Sequence, residues 1–219
     1  MLVYARREFA AVICQGLNVA EPQFDRLKFK DVVHYVCAAC DPGHLGSVKL
    51  HKVLYYFDMT KYALTGTAAT GATYMKQPRG PMARQMQPVL RDLQSEGRLA
   101  VSQEDYFGYS KTVYSALGEP EVARLADYER RLLDEIIDFV CRDNTAKTIS
   151  EFSHNLAWES VETGRSIPYR MAFLILPIDP SDEAVDWAIS EAQRIEDRPQ
   201  AILDGARLRA FREGLRAVH

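Results

Sequence analysis

Hydrophobic residues recur at helical spacing along most of the chain, and the sharpest pattern lies at residues 47–65. There Leu50, Val53, Leu54, Phe57 and Leu64 form a stripe, with Lys49, Lys52, Asp58 and Lys61 on other faces. Ser47 is a capping residue type at the start, and Gly66 stands where a left-handed residue ends a helix. Toward the N-terminus, Leu2, Ala5, Phe9, Val12 and Ile13 predict a helix over about 2–17, after which Pro22 breaks the chain. Phe29, Val33, Val36, Cys37 and Cys40 line a second helix, stopped by Asp41-Pro42-Gly43. This helix and the 47–65 helix, each with one apolar stripe and a tight connection between them, are expected to pack together.

After Gly66 the residues are small and turn-prone, then Tyr74 and Met75 lead to Arg79-Gly80-Pro81. Met86, Val89, Leu90 and Leu93 predict a helix that ends at Gly97, with Pro88 near its first turn. The period then changes: residues 98–101 and 111–117 read as short strands around a polar loop containing Gly108. Helix followed by hairpin is the order of a winged-helix module, and equally of a plain helix and hairpin used for packing.

From 122 to 144 the helical period returns. Val122, Leu125, Leu132, Leu133, Ile136 and Val140 face inward, and Arg124, Glu129, Arg130, Arg131 and Asp134 suit a solvated face. Thr148-Ile149-Ser150-Glu151 has capping-box spacing and predicts a further helix carrying Phe152, His154 and Trp158. Positions i and i+4 are neighbours on a helix, so His154 and Trp158 are expected on one face. After an apolar run at 171–177, Ser181-Asp182-Glu183 starts a helix, and a last one places Leu208, Phe211, Leu215 and Val218 opposite Arg207, Arg209, Arg212 and Arg216.

The pattern makes the chain mainly α. It divides into an N-terminal helical segment (1–28), a helical domain (29–176) with a small winged-helix-like β-hairpin at about 98–117, and a helical C-terminal extension (177–219). At 47% hydrophobic and 26% charged residues, 219 residues supply ample material for a core. A net charge of −3 disfavours a general nucleic-acid binder, and no apolar run reaches the length of a membrane span. The sparse cysteines, Cys14, Cys37, Cys40 and Cys141, fit a reducing cytoplasm rather than a secreted disulfide framework. Arg6-Arg7 before a short, interrupted apolar stretch only faintly resembles an export signal.

Candidate chemistry adds little. Cys37-x-x-Cys40 with His44 lacks the second ligand pair that structural zinc needs, so no metal is expected. Gly66 and Gly71 have phosphate-loop spacing, but Ala72-Thr73 replaces the required Lys-Ser/Thr. No nucleophile elbow, zincin helix or dinucleotide fingerprint is present, and neither catalytic residues nor a cofactor are expected.

Three elements in order carry a resemblance: Lys49-Leu50-His51-Lys52-Val53-Leu54-Tyr55-Tyr56, then Gly80-Pro81, then His154 to Trp158. Over roughly residues 29–170 the chain resembles the Panacea, or SocA-like, antitoxin domain. That family has a Lys-Leu-x-Lys-Leu-Leu-Tyr-Tyr/Phe helix, a later Gly-Pro and a late His before a Trp. His51 departs from the usual Gln, and Arg79 from a frequent aromatic residue. The resemblance implies a non-catalytic cytoplasmic antitoxin that neutralises a cognate protein toxin by direct binding. An adaptor delivering a client to an ATP-dependent protease is an alternative, as is a winged-helix DNA-binding regulator, although mixed charge disfavours nucleic acid. Leu50, Leu54, Gly80, Pro81, His154 and Trp158 form the structural signature. Lys49, Lys52, Tyr55, Tyr56 and Arg79 are the candidate partner-binding residues. Adjacent Tyr55 and Tyr56 point in different directions, so one is expected inside and the other on the surface with Lys52.

Overall fold

A computed structural model describes residues 21–106 and 108–175. The expected 2–17 helix, the Arg6-Arg7 element, Cys14 and both helices of the C-terminal extension lie outside the described residues. What is described is mainly α with small antiparallel sheets. Helices α1 (Arg26–Ala39) and α2 (Ser47–Thr65) are followed by strands β1 (Tyr74–Met75) and β2 (Met82–Ala83). Helix α3 (Met86–Ser95), strands β3 (Leu99–Tyr106) and β4 (Tyr109–Ala116), and helix α4 (Asp127–Ile137) come next. A π-helical turn (Asp138–Arg142), α5 (Ala146–Phe152), α6 (Leu156–Glu159), β5 (Ser166–Ile167) and a 3-10 helix (Tyr169–Leu174) complete it.

Helix α2 is the axis of the fold. It ends where its sequence says it should: Gly66 is left-handed (φ 73°) and its N–H donates to the Tyr62 carbonyl at 2.8 Å. Its start differs by one residue, since Gly46 is the N-cap and Ser47 is already helical. The larger difference is burial. An apolar stripe predicts one wet face, but every residue from Lys49 to Tyr62 is buried. The reason is enclosure: α1, α4, α5, β2, the π turn and the 3-10 helix all pack against α2.

Helices α1 and α3 follow their patterns. Asp25 caps α1 by accepting the Lys28 N–H at 2.9 Å, and Phe29, Val33, Val36 and Cys37 are buried. In α3 the buried residues are Met86, Val89, Leu90 and Leu93. The hairpin after it is longer than its apolar ends suggest, pairing Leu99 with Ala116 out to Tyr106 with Tyr109. Ser102 to Asp105 are exposed, so its outer half carries no hydrophobic alternation to read. Acidic residues of and beside α3 pair with α1: Arg26 with Asp92 at 2.6 Å and Lys30 with Glu96 at 2.7 Å.

Three local expectations are corrected. The helix predicted from 122 begins at Asp127, because Glu129 turns back and accepts the Ala126 N–H at 3.1 Å. Glu129 is therefore not solvated: it is 3% exposed and bonded to Lys28 at 2.7 Å. Arg124 precedes the helix and pairs with buried Asp31 at 2.6 Å. Nor do His154 and Trp158 share a helix. Thr145 caps α5 through a reciprocal exchange with Thr148, α5 closes at Phe152, and Asn155 caps the short α6.

Strands β1 and β2 make a small hairpin, and β5 pairs on the other side of β1. Tyr74 faces Ala83 in one direction and Ile167 in the other. The turn at 76–81, which contains Arg79-Gly80-Pro81, sits at the tip of this three-stranded unit.

Candidate functional site

A buried polar side chain is costly unless it is hydrogen-bonded, and Lys49, His51, Lys52, Asp58 and Lys61 of α2 meet that demand by gripping the segments around the helix. Lys49 Nζ donates to the Cys141 carbonyl at 2.9 Å, in the π turn. His51 Nδ1 accepts the Ala83 N–H of β2 at 3.1 Å. Burial, with the neighbouring Lys52 charge, depresses the imidazole to about 4 and keeps it a neutral acceptor. Asp58 accepts the Thr70 N–H at 2.6 Å, the Thr70 hydroxyl at 2.5 Å, and lies 2.7 Å from the Tyr74 hydroxyl. Burial raises its carboxyl above the usual range, opposed by these bonds. Lys61 Nζ donates to the Thr67 and Ala68 carbonyls at 3.2 and 3.1 Å.

Lys52 makes the contact that shapes the surface. Its Nζ donates to the Arg79 carbonyl at 2.7 Å and the Pro81 carbonyl at 3.2 Å, spanning Gly80. Desolvation lowers its ammonium to about 7. A neutral amine still carries two N–H bonds, one for each carbonyl, so the clamp survives loss of the proton. Gly80 has φ 91°, and a Cβ there would lie 2.5 Å from Lys52 Nζ and closer still to Ser153 Oγ. Only glycine fits both the angle and the approach. The two signature elements are thus one structural unit, a lysine below and a glycine turn above.

The turn is held from two further directions. Ser150 Oγ of α5 donates to the Arg79 carbonyl at 3.1 Å. Trp158 of α6 donates its indole N–H to the Gln77 carbonyl at 3.2 Å. Lys76 Nζ lies 4.0 Å from the centre of the Trp158 ring, a cation–π contact. His154 stacks on Trp158 with centroids 4.0 Å apart and an interplanar angle of 18°. Burial lowers the His154 ring below its ordinary value, helped by the charges of Lys52 and Lys76. The pair meets although Ser153 and Asn155 interrupt the helix between them.

The five candidate partner residues separate here. Lys52 is 1% exposed, Tyr55 and Tyr56 are both 0% exposed, and Lys49 is buried. No tyrosine stands on the surface with Lys52, because α2 has no solvent face along this stretch. Tyr55 packs edge-on against Tyr56 and Tyr74, and Tyr56 against Phe139. Arg79 alone of the five is exposed, with a backbone fixed by Lys52 and Ser150. The signature residues Leu50, Leu54, Gly80 and Pro81 are buried, and His154 and Trp158 are half-buried. Lys76 and Ser150 were not singled out by the sequence, and Ser150 reads there only as part of a capping box. Cys37 and Cys40 face the core and His44 is exposed; among the described residues no three His, Cys, Asp or Glu side chains gather as a metal site. Among these residues, too, no helix is long and apolar enough to cross a membrane.

A family model for the antitoxin SocA-like, Panacea domain matches residues 50–159, half of the chain. That span runs from the second residue of the Lys49-Leu50 signature to one residue past Trp158. No curated protein and no solved structure matches the chain.

Proposed function

Because this chain belongs to the SocA-like Panacea family, we propose that it is an antitoxin that neutralises a cognate protein toxin by stoichiometric binding in the cytoplasm, without catalysis. The observation that carries this reading is the family match, whose signature residues here build one braced turn. Buried Lys52 and half-buried Ser150 and Trp158 hold residues 77–81 from three elements, and the turn leaves Arg79 exposed while Lys76 covers Trp158. A rigid backbone loses little entropy on docking, and arginine and tryptophan are the side chains that most often carry interface energy. The buried residues fix the turn, so its exposed residues are free to be set by the partner without disturbing the core.

Neutralisation then works by occlusion: the antitoxin covers the toxin's substrate site or holds it in an inactive shape. Co-expression with a toxic protein encoded beside this chain is expected to restore growth, and the two are expected to copurify in a fixed ratio. Rescue by catalytic amounts, with no complex detectable, overturns the proposal. Sequence-specific DNA binding with no protein partner replaces it with a regulator.

A further inference from the structure

Cys40 and Cys141 are 101 positions apart in sequence, yet their sulfurs lie 3.3 Å from each other. Cys40 is the residue that closes α1, its N–H donating to the Val36 carbonyl, and Cys141 sits in the π turn after α4. Both are reduced and nearly buried, at 6% and 5% exposure. Each is followed directly by exposed residues, Asp41 to His44 on one side and Arg142 and Asp143 on the other, so the pair lies one layer below solvent. The Cys40 thiol donates to the Cys141 sulfur. Lys49, whose Nζ is bonded to the Cys141 carbonyl, and Arg142 add positive charge beside that sulfur. Such surroundings favour the thiolate, the reactive form.

We propose that Cys40 and Cys141 form a modification site, a dithiol that a small peroxide closes to a disulfide. The Cys141 thiolate attacks one peroxide oxygen, the O–O bond breaks, and hydroxide leaves with Cys141 as the sulfenic acid. The Cys40 sulfur then attacks the Cys141 sulfur, the S–O bond breaks, and the thiol proton leaves with the hydroxide as water. In sum two thiols and hydrogen peroxide give one disulfide and two waters. The sulfurs close from 3.3 Å to the ~2.05 Å of a disulfide, a shift small enough for a helix end and a π turn. Cys37 is one turn earlier on α1, and burial pushes its thiol up to about 12, so it stays protonated. The cross-link ties the end of α1 to the end of α4 and encloses all of α2 and the 76–81 turn.

The test is peroxide treatment of the full chain, followed by alkylation of remaining thiols and peptide mass spectrometry. A Cys40–Cys141 cross-linked peptide is expected in the wild type and in Cys37→Ser, absent in Cys40→Ser and reversed by a dithiol reductant. The oxidised protein is expected to melt about 5–10 °C higher than the reduced one, as a long closed loop implies. Free, alkylatable Cys40 and Cys141 after peroxide treatment overturn the proposal. So does cross-linking that runs instead through Cys37 or Cys14, or conversion of Cys141 to a sulfinic acid with no disulfide. The mass measurement on the wild type stands whether or not the Cys40→Ser variant folds well.

Discussion

Lys52 Nζ occupies the space that a side chain at residue 80 would need: a Cβ on Gly80 would lie 2.5 Å from it. The two residues are 28 positions apart, on a buried helix and at the tip of a small hairpin, and each sets the limit on the other. Gly80→Ala forces a positive φ on a residue with a Cβ and pushes that Cβ against Lys52 and Ser153. The expected loss is about 2–4 kcal/mol of stability, strain and overpacking together, read as a lower denaturant midpoint. An unchanged midpoint means the turn is loose.

Lys52→Met removes the donor to both carbonyls, leaving Arg79 with only the Ser150 hydroxyl and Pro81 without its lysine bond, which costs about 1–3 kcal/mol. The pH dependence identifies the ammonium. The folded pKa of about 7 lies below the ordinary value of 10.5 because of burial, so the folded protein binds fewer protons than the unfolded chain between those limits. The contribution is complete above pH 10.5 and disappears as the pH falls through 7. Wild-type stability relative to Lys52→Met is therefore expected to rise from pH 7 to pH 10, by at most about 1.4 kcal/mol per unit. A flat difference shows that Lys52 is solvated.

His51 shifts in the same direction at lower pH. Its folded value of about 4 lies below the ordinary 6.5, so its contribution is present above pH 6.5 and is lost as the pH falls toward 4. His51→Gln keeps an acceptor for the Ala83 N–H and removes the titration. Thermal midpoints measured from pH 7 to pH 4 are expected to fall less steeply for that variant. Parallel curves for the two proteins place the acid sensitivity elsewhere.

Surface and core substitutions are expected to differ in kind. Tyr56→Ala empties a wholly buried site and costs about 3–5 kcal/mol, so any loss of activity follows from unfolding. Arg79→Glu alters an exposed side chain and shifts stability by no more than about 0.5 kcal/mol. If the braced turn is the docking surface, Arg79→Glu weakens copurification of the toxin by about thirtyfold or more, the scale of a hot spot. Full binding by a stable Arg79→Glu protein moves the interface off this turn.

The sequence by itself determined the apolar stripes of α1 and α3. Phe29, Val33, Val36 and Cys37 on α1, and Met86, Val89, Leu90 and Leu93 on α3, bury as their spacing requires, although α1 also buries Asp31, Val32 and His34 off that stripe. It determined where α2 stops, because Gly66 adopts an angle that other residues avoid. It also carried the family, through three short elements whose order survives in the chain. Tertiary structure alone decided the environment of the polar residues on α2. Periodicity assigns a lysine to water unless something covers it, and what covers Lys49, Lys52 and Lys61 comes from segments up to 92 positions away. The same holds for Glu129, whose partner Lys28 is 101 positions distant. Local pattern encodes which residues share a face, whereas burial of a charge depends on a carbonyl or counter-charge that only the folded chain delivers. Hence the residues that looked like a surface are buried supports of the core and of the 76–81 turn, and Arg79 is the member of that set left facing solvent.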